Sequence, residues 1–168
     1  MPQGIGDVFS TERGTGARYN EGKVKLEYIP AHILATYVDG LSEYQGPADG
    51  VVYILNQLGA FEASHSPSVL APALDACGWH AVCNVFHYGA KKYAPWNWAK
   101  GMAWSVPMAC AKRHLLAVAR GEELDPESGL PHLGHVGCNI VMLMQFARYY
   151  PEGNDLPDRA LFNIEEDF

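Results

Sequence analysis

RHLLAVARGEELDPESGLPHLGHVGCN, residues 113 to 139, reads as the end of one helix, a tight acidic turn and the start of a second helix. Glu122, Glu123, Asp125 and Glu127 fall in the turn, while His114 precedes it and His132 and His135 follow it. Carboxylates gathered where two helix ends meet repel one another, and the usual remedy is a hard divalent cation shared with phosphate oxygens. The alternative is a solvated acidic loop between helices. His132, His135 and Asn139 stand at i, i+3 and i+7, so they share a face of an otherwise apolar helix. Burying such groups without partners costs roughly 1 to 3 kcal/mol each, which predicts a facing polar cluster. Arg113 and Arg120 lie one heptad apart on the preceding helix and suit either phosphate or an ion pair with the turn.

Working outward, Ser105 with Pro107 just inside opens the first helix of this hairpin, and Arg120-Gly121 closes it. The second runs from His132 to about Tyr150, where Pro151 ends it. Upstream, Ile33, Leu34, Tyr37, Val38, Leu41 and Tyr44 give a helix from Pro30. The apolar run Val51–Phe61 fits a helix, with a strand as second choice, and Ser68–Tyr88 reads as one helix with Gly78 as a blemish. Alternating strand patterns are absent, so the expected fold is all-α, a bundle of helix hairpins in a single domain over 1–168. The arm 1–17 is expected to be irregular and solvated, its GTG at 14–16 lacking the strand and the Lys-Ser or Lys-Thr pair of a phosphate loop. The acidic tail 155–168, with Glu165, Glu166 and Asp167, is expected to be mobile or docked on a neighbouring subunit.

The segment GAKKYAPWNW, residues 89 to 98, adds Lys91 and Lys92 as cations, Tyr93, Trp96 and Trp98 as flat faces, and Asn97 as a partner for a base edge. Stacking contributes roughly 1 to 3 kcal/mol per base. An aromatic loop closing over the core is the competing explanation. A net charge of −7 argues against sequence-independent binding to duplex nucleic acid, which requires a basic surface, but leaves a single nucleotide held by local cations and metal. No apolar stretch has the length of a membrane helix and no signal peptide opens the chain, so the expected location is the cytoplasm and no membrane partner is expected. The four cysteines lie in apolar helical patterns and read as reduced. Without a CxxC pair, a zinc site from His132, His135 and Cys138 is disfavoured; without GxSxG, Ser128 reads as a helix cap.

RYNEGK at 18–23, YIP at 28–30, GAKKYAPWNW and the RH…GEELDPESGLPHLGHVGCN hairpin together resemble the dATP/dGTP diphosphohydrolase family of phages and bacteria, relatives of the MazG-like all-α nucleotide pyrophosphatases. The likeness spans about two-thirds of the chain and leans toward the MazZ-type branch found in phages that replace adenine by 2-aminoadenine. It implies cleavage of a purine deoxynucleoside triphosphate, dGTP or also dATP, between the α and β phosphates, in a homo-oligomer of dimeric units, dimer or tetramer. In the MazZ-type role the dGMP formed feeds synthesis of the modified base. Glu122 and Asp125 keep the three-residue spacing of the MazG acids, but His132 and His135 stand where further acids are expected, and the segment 39–68 has no counterpart in short members. The resulting expectation is two or three Mg²⁺ or Mn²⁺ ions on Glu122, Asp125, Glu127 and His132, with His135 as ligand or proton carrier. Lys91, Lys92 and Arg113 would stabilise the charge spreading over the phosphates, Trp96, Asn97 and Trp98 would grip the base, and Tyr93, His114 and Asn139 would also contact the substrate. Two rivals remain at this point: an HD-type hydrolase that releases whole triphosphate, and a non-catalytic nucleotide sensor.

Overall fold

The computed structural model describes residues 5–20, 22–46 and 48–162, so the expectation for Glu165, Glu166 and Asp167 lies outside the described residues. Six helices carry the architecture: α1 (Ala31–Gln45), α2 (Asp49–Ser64), α3 (Ala71–Cys77), α4 (Trp79–Lys92), α5 (Ser105–Ala119) and α6 (His132–Tyr149). Among the described residues there is no strand, only isolated bridges between Ile5 and Arg18 and between Leu124 and Pro131. The all-α expectation holds, and Val51–Phe61 lies within helix α2.

Helix α6 is the axis. It packs against α5, α4 and α3, while α1 and α2 form a second hairpin whose α2 leans on α5. Met108 and Leu115 of α5 meet Val136, Ile140, Leu143 and Phe146 of α6 in a core continuous with Leu55, Leu58 and Phe61 of α2. Each of these side chains contributes roughly 1.5 to 3 kcal/mol by leaving water. Gly137 lets α4 approach closely, since a Cβ there would overlap Val82 and Cys77.

The single helix expected over Ser68–Tyr88 is instead two. Gly78 adopts φ 84°, a conformation open to glycine, and the chain bends by 98° between Pro67–Cys77 and Trp79–Lys92. The bend turns α4 so that its final turn, carrying Tyr88, Lys91 and Lys92, runs toward the acidic hairpin. Among the described residues no single helix is long and apolar enough to cross a membrane.

Among its described residues, 5–17, the N-terminal arm is irregular and docks only at its end: Gly16 and Ala17 are buried, while Ile5–Asp7, Phe9 and Thr11–Arg13 stay exposed. Its GTG amides donate to the carbonyls of Lys100 and Gly101, from Gly14 at 2.7 Å and Gly16 at 2.9 Å, and are therefore spent on the backbone. At the other end, Asp155 accepts from the Ser105 N–H at 2.8 Å and the Ser105 hydroxyl at 2.5 Å, so the C-terminal segment caps α5 of its own chain. All four cysteines are free; Cys77, Cys110 and Cys138 are buried, whereas Cys83 is exposed.

Candidate active site

The turn between α5 and α6 is shaped by its own backbone. Gly121 and Gly129 take positive φ, 90° and 73°, and the Asp125 N–H to Leu130 carbonyl bond (2.8 Å) and the His132 N–H to Glu123 carbonyl bond (2.9 Å) pinch it into a narrow loop. Asp125 then folds back over the first turn of α6. Its Oδ2 accepts from the Ser128 N–H at 2.9 Å and lies 3.6 Å from His135 Nε2, while Ser128 Oγ sits 2.7 Å from that same nitrogen.

His114 joins this group from α5. Its Nδ1 is 2.8 Å from His132 Nδ1, and its ring stacks on His135 with centroids 4.5 Å apart and planes 10° from parallel. Burial, reinforced by the neighbouring imidazoles, pushes His114 down to about 3; burial pushes His135 down to about 4 despite the pull of Asp125. Both rings are therefore neutral at pH 7. Burial works against the Asp125 carboxylate, yet the Ser128 hydrogen bonds and facing imidazoles outweigh it and hold the pKa below the usual value. His114, Asp125 and His132 each offer a ligand atom within 4.8 Å of the others. His132 Nε2 is buried without a hydrogen-bond partner, and Glu122 Oε1 lies 3.6 Å from it.

These groups form one end of a cavity of about 350 Å³, a volume in the range of small-molecule sites. Glu122, Asp125 and Glu127 all reach it, whereas Glu123 does not line it. Glu127 pairs with Lys92 at 2.7 Å at the exposed rim, and that hydrogen bond holds its carboxyl below the usual range. Lys23, Arg113 and Arg120 add positive charge to the lining. Arg113 donates to the Val24 carbonyl at 3.1 Å and to Asn20 Oδ1 at 3.0 Å, so its fork also fastens the segment that follows the arm.

Of the residues singled out in GAKKYAPWNW, Lys92, Tyr93, Asn97 and Trp98 line the cavity, but Lys91 and Trp96 do not. Lys91 is exposed on the last turn of α4. Trp96 has φ 64° and stands 74% exposed, outside the cavity lining and beside the arm residues Val8–Thr11. The Asn97 amide is committed to backbone, accepting from the Ala17 N–H and donating to the Ala17 carbonyl, both at 3.0 Å. Asn139 is fully buried and acts from behind the wall, donating to the His135 carbonyl at 2.7 Å.

Several lining residues escaped sequence reasoning: Arg18, Tyr19, Lys23, Phe86, Tyr88, Cys110 and Met142. RYNEGK marked the first three only through resemblance, because a residue in an irregular arm carries no periodic signal. Tyr19 is fixed by its N–H to the Tyr93 hydroxyl at 3.1 Å, with the ammonium groups of Lys23 and Lys92 5.3 Å and 5.5 Å from its ring centre.

The arrangement combines a carboxylate-imidazole cluster, a rim of cations and an apolar recess lined by Val85, Phe86, Trp98, Met102 and Met142. The family described as dATP/dGTP diphosphohydrolase, N-terminal, matches residues 68–156, which include all six histidine and acidic residues of the cavity lining. Comparison with curated proteins and with solved structures finds no match.

Proposed function

Because the chain belongs to the dATP/dGTP diphosphohydrolase family, we propose that it hydrolyses purine deoxynucleoside triphosphates to the monophosphate and pyrophosphate with the help of a divalent metal. The observation that carries this reading is the His114, Asp125 and His132 cluster, whose ligand atoms lie within 4.8 Å of one another at the end of a nucleotide-sized cavity.

The donor set fits a cation. His132 Nε2 is a buried nitrogen with no partner, His114 is kept neutral by burial, and Asp125 is kept ionised by its hydrogen bonds. His114, Asp125 and His132 would hold the ion, with Glu122 beside them and Glu127 at the rim for a second or third. A mixed nitrogen and oxygen set supports Mn²⁺ over Mg²⁺, which prefers oxygen ligands. Bound there, such a cation supplies charge neutralisation for the triphosphate and acidifies a water.

The chain's own groups complete the reaction. His135, neutral and backed by Asp125 and the Ser128 hydroxyl, takes the proton of the attacking water. The water oxygen bonds to the α phosphorus as the bridging bond to the β phosphate breaks, and the electron pair leaves with pyrophosphate. Lys23, Lys92 and Arg113 meet the charge that spreads over the departing oxygens. Phe86 and Trp98, with centroids 5.2 Å apart, offer the apolar recess to the base. The MazZ-type likeness of the sequence supports dGMP as a product destined for 2-aminoadenine nucleotide synthesis. Exposed Ile33, Tyr37 and Tyr44 along α1 support assembly into a homo-oligomer.

A panel of deoxynucleoside triphosphates with Mn²⁺ or Mg²⁺, with products resolved by chromatography, tests the reading. Deoxynucleoside monophosphate plus pyrophosphate is the expected outcome. Deoxynucleoside plus triphosphate would replace it with the HD-type reaction, and tight binding without turnover would make the protein a sensor.

A further inference from the structure

Arg18 presents a guanidinium to the cavity with no carboxylate within ion-pair distance among the described residues. It is aimed by two residues of α6: Nη2 donates to Asn139 Oδ1 at 2.7 Å and Nη1 to Met142 Sδ at 3.4 Å. Asn139 is itself oriented by its bond to the His135 carbonyl. His132 and Asn139 are seven residues apart on α6, about 10 Å along the axis at 1.5 Å per residue. From His135, the nearest ring of the cluster, Asn139 is one turn further, about 6 Å along the axis. Arg18 therefore lies beyond the cluster along α6, beside Ala17, Met142 and the Asn97 turn, with its charge still felt by His135 and His114. Asn97, the residue whose amide best resembles a base partner, is already spent on Ala17.

A guanidinium only donates hydrogen bonds. A purine reaching the recess meets it with one of two edges. Guanine shows O6 and N7, adjacent acceptors that match the two-pronged fork; adenine shows N7 beside the N6 amine, a donor facing donors. Low local polarity raises the cost of that mismatch, because an unpaired donor there cannot turn to water. We propose that Arg18 is the base-selecting residue of this site, pairing with the O6 and N7 edge of guanine so that guanine nucleotides are preferred to adenine nucleotides. This rests on the nucleotide hydrolase reading and deepens it.

The experiment compares kcat/KM for dGTP, dITP, 7-deaza-dGTP and dATP in the wild-type protein, Arg18→Gln and Arg18→Lys, with thermal melts as the check on folding. Wild type should prefer dGTP and dITP over dATP by roughly 5- to 150-fold, the spread of one bidentate base contact, and 7-deaza-dGTP should fall below dGTP. Arg18→Gln, whose amide offers one donor and one acceptor, should shift preference toward dATP. Equal loss of dGTP and dATP turnover in Arg18→Gln would overturn the proposal and assign Arg18 to the triphosphate. So would a wild-type enzyme indifferent to the base series, a comparison that stands even if Arg18→Gln fails to fold. Arg18→Lys keeps the charge without the fork and should lose discrimination more than turnover. If wild type hydrolyses none of the triphosphates, the hydrolase reading fails separately. Calorimetric titration with dGMP and dAMP then decides: tighter dGMP upholds the base contact and equal affinities refute it.

Discussion

Lys112 Nζ on α5 lies 2.9 Å from Glu62 Oε2 on α2, and the two side chains are 0% and 3% exposed. The pair is fully enlisted. Lys112 also donates to the Ile29 carbonyl at 2.6 Å, and Glu62 Oε1 accepts from the Ala31 N–H at 2.7 Å, the first residue of α1. One buried ion pair thus joins three helices to the segment between the arm and α1, next to Arg113, which ties down the same segment. Removing one partner strands the other charge, so Lys112→Met should lower stability by about 3 to 5 kcal/mol. The double variant Glu62→Leu with Lys112→Met should recover much of it. Denaturant melts of wild type and the two variants check this, and a Lys112→Met protein as stable as wild type would contradict it.

Asp125 and Glu127 are two residues apart but differ in placement. Asp125 belongs to the cluster with His114 and His132 and lies 3.6 Å from His135 Nε2, whereas Glu127 is tied to Lys92 at the rim. Asp125→Asn should therefore lower metal-dependent turnover by about 100-fold or more, the scale of losing a charge-stabilising group. Glu127→Gln should cost less, about 10-fold, by the same reasoning. Steady-state rates at saturating Mn²⁺, with unchanged circular dichroism, measure the contrast; equal losses would place both acids on the ion.

Acid should unfold the protein through its histidines before its carboxylates. His114 and His135 fall from 6.5 to about 3 and about 4 in the native state. As pH drops below about 6.5 the unfolded chain takes up these protons and the native chain does not. Stability is thus complete above that pH and declines until the native rings protonate. Asp125 and Glu127, whose native pKa values are lowered, add a further loss at lower pH. Without metal, Tm should fall by roughly 5 °C or more between about pH 7 and pH 4.5, and His135→Gln should flatten the slope. A wild-type Tm constant over that interval would contradict the buried neutral rings.

The α5–α6 hairpin was legible because its signals are local: Ser105 and Pro107 at one end, Arg120-Gly121 at the turn, and Pro151 beyond Tyr149. The shared face of His132, His135 and Asn139 followed from helical spacing alone. The bend at Gly78 was not legible, since a glycine within a periodic run leaves its φ to the packing of α3 and α4 on α6. Trp96 stays outside the cavity lining because the chain takes a positive φ there after α4 ends, which composition does not encode, and Lys91 sits on the exposed face of the last turn of α4 while its neighbour Lys92 lines the cavity. Arg18 reaches Asn139 across 121 residues of sequence, a contact that exists only once the arm has docked.

The most direct test of the account is to run the Mn²⁺-supported reaction in water enriched in heavy oxygen and to locate the label by phosphorus NMR and mass spectrometry. Attack at the α phosphorus places the heavy atom in the deoxynucleoside monophosphate and leaves pyrophosphate unlabelled. Label in pyrophosphate, or release of deoxynucleoside with intact triphosphate, would contradict it.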